Sequence, residues 1–274
     1  MNEELLTAGG QEISFSGSTL LGYFVTGTLY ILLPVLAFFL LKKYGAARIY
    51  HVIVGAAVYF LATRLCDLCA HMIGGSQSFA MKAVIAAELV CIAEEVGRWL
   101  AVKYPVADIS TTRAAMCYGI GHGGLECWIR GFDSFKVFRM GLRCNSRGSG
   151  SFSAGKSAEL AEQITGQLRE SAAHPLFLSI LEQISLIGTF SVQIALSLLI
   201  YKKYRENSRE IRWLLAAVGL HYFLNAAVWL ASLSQNRPLC ALVSIACDAA
   251  VAAVVFRIIG FRECADEVLF SMEE

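Results

Sequence analysis

Residues 19–41 read TLLGYFVTGTLYILLPVLAFFLL, a run without a single charge, and Lys42 and Lys43 follow at once. A helix rises 1.5 Å per residue, so about 20 apolar residues cross a hydrocarbon core of roughly 30 Å. A run this long and this apolar has lipid as its solvent, where the backbone must bond to itself.

Working outward, six further apolar windows fall at 49–72, 79–102, 112–129, 175–201, 211–233 and 240–259. They predict an all-α, polytopic integral membrane protein of about seven transmembrane helices. It forms a single transmembrane domain over 1–274, with an extramembrane loop around 130–174. Composition agrees, with 56% of residues hydrophobic and 16% charged. A net charge of +1 and basic residues scattered beside the apolar windows give no case for nucleic acid, so the partner expected is the lipid bilayer. The start, 1–18, is acidic and lacks the basic residues of a cleaved leader, so the first helix is expected to stay. Nine cysteines sit mostly within apolar windows, where the thiol behaves as a small hydrophobe; Cys66 and Cys69 have no second pair at zinc-site spacing.

Basic residues set the orientation. Lys42, Lys43 and Arg48 follow the first window, Lys103 and Arg113 the third, and Lys202, Lys203, Arg205, Arg209 and Arg212 the fifth. These three connections are expected in the cytoplasm. Between the second and third windows no charge precedes Lys82, and between the sixth and seventh there is only Arg237. The expectation is a multi-pass protein of the cell membrane with its N-terminus outside and its C-terminus in the cytoplasm. The stretch 130–174 carries Lys136, Arg139, Arg143, Arg147, Lys156 and Arg169 on the external side, where positive-inside counting is weaker for a longer loop. Within it, 145–155 is rich in Gly and Ser and reads as flexible. The part 156–170 reads as a surface helix with Leu160, Ile164 and Leu168 on one face.

Several charges stand inside the windows, where each costs roughly 2.5–3.5 kcal/mol and normally serves a polar cavity. The third window holds Glu94, Glu95 and Arg98, the fourth His122 and Glu126, and the sixth His221 and Asn225. Side chains three or four apart share a helix face, so Glu95 with Arg98, His122 with Glu126 and His221 with Asn225 are co-facial, while Glu94 points about 100° away from Glu95. If the three helices pack together, these groups suffice for hydrolysis. A carboxylate can act as general base on water, one histidine can orient it, and the second histidine with the amide can stabilise an oxyanion. Equally, His122, His221 and Glu94 can supply three ligands to zinc and leave a position for the attacking water. The plain structural alternative is a Glu–Arg pair and interhelical histidine bonds that only hold helices together. Gly119, Gly121, Gly123 and Gly124 around His122 allow either tight packing or a groove for a substrate segment. Glu182 with Gln183 is expected to border the site; Asp67 and Asp248 are weaker candidates.

At these residues the sequence resembles the YhfC family of intramembrane metalloproteases, itself similar to the wider CAAX-protease and bacteriocin-processing superfamily with its PrsW-like members. The resemblance rests on Glu94-Glu95-x-x-Arg98, on Gly-x-Gly-His122-Gly-Gly-x-Glu126, and on His221-x-x-x-Asn225, in that order on separate helices. CAAX proteases place the arginine one position later and lack the glycines around the histidine. The resemblance implies Glu94 as general base, His122 positioning the water, and His221 with Asn225 holding the oxyanion, supported by Glu95 and Arg98, with or without a metal. It implies an intramembrane peptidase acting on membrane-embedded or membrane-adjacent peptides. Two other classes use the same residues: a proton- or ion-coupled transporter with a Glu/His relay, and a non-catalytic membrane scaffold or immunity protein.

Overall fold

The structure is a computed structural model and describes residues 12–43, 48–73, 79–104, 108–206 and 210–269; the side chains of 70, 71, 73, 79–87, 210 and 269 fall outside that description. The charges of Arg209 and Lys82 and the acidic start before residue 12 therefore lie outside the described residues.

Every regular element among the described residues is a helix. In chain order they are α1 (Gly17–Lys43), α2 (Ile49–Ile73), α3 (Phe79–Lys103), α4 (Thr112–Arg147), α5 (Gly150–Ser153), α6 (Ala158–Ala172), α7 (Leu176–Arg205), α8 (Glu210–Ser232), α9 (Arg237–Ile259) and α10 (Phe261–Leu269). Each apolar window of the sequence is a helix. Five stretches are long and apolar enough to span a bilayer: Gly17–Lys43, Ile49–Cys69, Leu176–Arg205, Ile211–Ser232 and Arg237–Ile259. The window in α4 falls short because it carries Arg113, His122, Glu126 and four glycines; the side chains of 79–87 in α3 lie outside the described residues. The outer surface is apolar, as lipid contact demands: α2 alone exposes Ile53, Phe60, Leu61, Leu65 and Leu68. The chain is an all-α, multi-pass membrane protein.

The stretch after the fourth window departs from the expected loop. Helix α4 runs without a break to Arg147, so 130–147 is helical. The glycine-rich part beyond it holds a single helical turn, α5, between Gly148 and Gly155, whose φ of 77° and 72° favour a residue without a Cβ. The expected surface helix is α6, capped by the Ser157 side chain at Leu160 N; it buries Leu168 and leaves Leu160 exposed.

The described chain divides into two compact units, one of 12–29 with 130–180 and one of 30–129 with 181–269. The first has a small core of Ile13, Phe15, Cys144 and Leu168, and Asn145 clips the extended entry by bonding both the N–H and the carbonyl of Phe15. The second holds the larger core, centred on α7, where Val192, Ala195, Leu196, Leu199 and Ile200 are all 2% exposed or less. Glycines bring its helices together. A Cβ on Gly121 would collide with the carbonyl oxygen of Val52, and one on Gly55 with that of Tyr118, so α2 and α4 meet backbone to backbone. Gly119 and Gly123 face α7, and Gly124 faces Pro34 of α1. The glycines around His122 serve close packing on three sides.

Candidate active site

The second unit brings Glu94, Glu95, Arg98, His122 and His221 into one buried cluster. All five are between 0% and 8% exposed. Two successive glutamates point about 100° apart on α3, so one helix turn reaches two neighbours. Glu94 turns to α4, where His122 Nε2 donates to its Oε2 at 3.0 Å. Glu95 turns to α8, where His221 Nδ1 donates to its Oε1 at 2.9 Å. His221 Nε2 stands 4.0 Å from Glu94 Oε2, so that one carboxylate oxygen lies between two imidazole nitrogens.

Arg98 answers Glu95 across one turn of α3, its Nε 3.1 Å from Glu95 Oε2, as their spacing predicts. Its remaining donors go to α7. Nη1 donates to the carbonyl of Gln193 and to Ser197 Oγ, and Nη2 donates to Gln193 Oε1, each at 2.6 Å. The guanidinium thereby ties α3 to α7 with charge-assisted bonds in a dry setting. His122 is flanked by two aromatic rings, Tyr59 of α2 edge-on at 5.3 Å and Tyr118 of α4 stacked at 6.0 Å. Its Nδ1 and the Tyr118 hydroxyl are buried with no hydrogen-bond partner among the described residues.

Glu126 and Asn225 are half-buried one turn beyond His122 and His221 on α4 and α8, on the shared faces that i, i+4 spacing gives. The α7 residues that bond Arg98 are Gln193 and Ser197. Glu182 lies eleven residues earlier, about 16 Å along the helix axis. Gln193 and Ser197 passed unnoticed in the sequence, although two polar residues four apart in the most apolar part of a window are a signal of a polar helix contact. Asp67 pairs with Arg64 at 3.3 Å on an exposed face of α2. Asp248 is buried on α9 and accepts from Thr189 of α7 at 3.0 Å and from its own Ser244 at 3.3 Å. Both stand apart from the cluster.

The donor chemistry suits a metal. Two imidazoles face one carboxylate oxygen, and His221 has its second nitrogen fixed by Glu95, the support that metal-bound histidines commonly have. Among the described residues no three His, Cys, Asp or Glu side chains already stand at ligand spacing.

A helical membrane protein with carboxylates, imidazoles and a guanidinium buried together belongs among the multi-pass membrane proteins that carry a buried polar site. The family is then specific: residues 29–247 match the YhfC intramembrane metalloprotease family, and the chain belongs to it. It is similar to the uncharacterized membrane protein YhfC of Bacillus subtilis (strain 168), 28% identical over 217 residues that cover 73% of this chain and 80% of the relative. No solved structure matches.

Proposed function

We propose that the chain is an intramembrane metallopeptidase of the cell membrane that hydrolyses peptide bonds of membrane-embedded or membrane-adjacent substrates at the Glu94 carboxylate. The observation that carries this reading is Glu94 Oε2, 3% exposed as a residue and set between His122 and His221. His122, His221 and Glu94 would hold the metal, with zinc as the ion that suits two imidazoles and a carboxylate. When bound, the metal supplies an acidified water and polarises the scissile carbonyl.

The chain's own residues do the rest. With one Glu94 oxygen on the metal, its other oxygen would take the proton of the attacking water and return it to the leaving amine, within a site that bulk water scarcely reaches. Glu95 fixes the His221 ring, and Arg98, held by Gln193 and Ser197, keeps Glu95 in place. Asn225, on the His221 face of α8, is the amide available to an oxyanion. A second reading, glutamate-based hydrolysis without a metal, is favoured by the direct His122–Glu94 bond: this pair alone can activate water. The three basic connections face the cytoplasm, with the N-terminus outside, and the polar ends of α2, α4 and α7 on one cleft support that orientation.

The test is elemental analysis of the purified protein beside His122→Ala and His221→Ala, with cleavage of a membrane-anchored reporter peptide in detergent, where no gradient exists. About one metal per chain, lost with cleavage in both variants, is the expected result. Cleavage by a metal-free native protein that disappears in Glu94→Gln selects the second reading. Gradient-dependent solute movement in sealed vesicles without cleavage would select a transporter. In either peptidase case Glu94→Gln lowers the rate by roughly 10²–10⁴-fold.

A further inference from the structure

Away from the charged cluster, a polar cleft of about 640 Å³ opens where the first turns of α2 and α4 meet the last turn of α7 and helix α10. Arg48, His51, Thr111, Arg113, Lys202 and Arg205 are in its walls. Four cations from three separate connections thus gather in one place.

Two of them are already neutralised: Arg48 faces Asp108 at 3.6 Å, and Lys202 pairs with Glu267. Glu206, also in the wall, pairs with Lys203 at 2.7 Å. The other two guanidinium groups have no carboxylate at ion-pair distance among the described residues. Arg113 gives its Nε and Nη2 to the neutral carbonyl of Val268, at 3.3 and 2.7 Å, and Arg205 is exposed at the end of α7. Glu263 of α10 is the one remaining carboxylate of the wall. The first N–H groups of α4 begin here, the end of a helix that favours an anion; that of Ala114 is taken by Thr111 Oγ1 at 3.1 Å and Thr112 Oγ1 donates to Glu267, which leaves the backbone N–H groups of Thr112 and Arg113. An independent mark of a missing ligand is His51. It is 4% exposed, its Nε2 bonds the carbonyl of Asp108 at 3.1 Å, and its Nδ1 is buried with no partner among the described residues.

We infer that this cleft binds a phosphate-bearing ligand, its oxygens taken by Arg113, Arg205 and the backbone N–H groups of Thr112 and Arg113, with His51 Nδ1 accepting a ligand hydrogen, since Nε2 donates to the Asp108 carbonyl. Guanidinium groups from two elements and a helix N-terminus approach from different directions, which suits a tetrahedral group better than a planar carboxylate. The same chemistry is offered by a lipid headgroup and by free phosphate.

The full chain in a neutral detergent is titrated calorimetrically with inorganic phosphate and with dioctanoyl phosphatidylglycerol, and with uncharged dioctanoylglycerol as the control. Saturable one-site binding of at least one phosphate probe is expected, with none for the control. Arg205→Gln, at an exposed helix end, should weaken it at least tenfold without changing the thermal midpoint of the free protein. Binding of both probes assigns recognition to the phosphate itself, and binding of the lipid alone assigns it to a headgroup whose chains also contribute. Absence of saturable binding by both probes, or binding equal in the native, Arg205→Gln and His51→Gln forms, overturns the inference.

Discussion

Arg98 illustrates how one residue can serve a site it does not line. Fully buried, it faces Glu95 and donates to Gln193 and Ser197. Removing its charge leaves the Glu95 carboxylate buried without a cation, a loss of about 3–5 kcal/mol for a broken buried pair. Arg98→Gln is therefore expected to lower the thermal midpoint in detergent sharply, and adding Glu95→Gln should recover much of the loss. A double variant as unstable as the single one would show that the arginine acts by packing alone. The other members of the cluster on α3, α4 and α8 were legible in the sequence because a charge inside an apolar window is conspicuous by its cost. Gln193 and Ser197 were not, since neutral polar residues are common in such windows and nothing in the sequence fixes the rotation of α7 against α3.

Among elements, α2 and α4 meet backbone to backbone. With Val52 and Tyr118 carbonyls against Gly121 and Gly55, an added methyl has no free volume. Overpacking typically costs about 1–3 kcal/mol, and Gly121→Ala should reach at least the upper end because the obstacle is backbone, which cannot rotate away. Thermal unfolding checks this against Gly219→Ala on α8, where nothing lies within 4 Å and little change is expected. Helix α10 is held differently, by Glu267 accepting from Lys202 and Thr112 and by Val268 accepting from Arg113. Burial opposes ionisation of Glu267, but its hydrogen bonds with Lys202 and Thr112 outweigh burial and hold its carboxyl below the usual range. A depressed carboxyl stabilises the fold above its unfolded value, and that contribution is lost as pH falls through the folded one. Hydrogen exchange should show α10 protected at neutral pH and released in acid, with Glu267→Gln released at both. The apolar helices were readable from length and hydropathy alone. The continuation of α4 over 130–147 was not, because its mixed polar and aromatic residues show neither an apolar run nor a turn signal.

For the whole molecule, the cleft gathers residues from before α2, from the start of α4, from the end of α7 and from α10. Those segments must share one side of the bilayer, as the positive-inside count expects. Reporter fusions or single-cysteine labelling at 205 and 113 should give cytoplasmic signals and at 237 an external one; labelling of Arg113 and Arg205 positions from opposite faces would refute the arrangement. How many helices cross was less legible at this scale than where they lie, because the glycines and charges of α4 lower its hydropathy.

The backbone contact between α2 and α4 finally bears on traffic. A seam with no side chains in it cannot part without separating two main chains, so for the proposed peptidase the α2–α4 side of Glu94 would stay shut. His221 keeps a tenth of its side-chain surface, whereas Glu95, Arg98 and His122 keep none, so α8 would be the side of entry. A cross-link that pins α8 to α3 should therefore halt turnover, and one that pins α2 to α4 should leave it untouched.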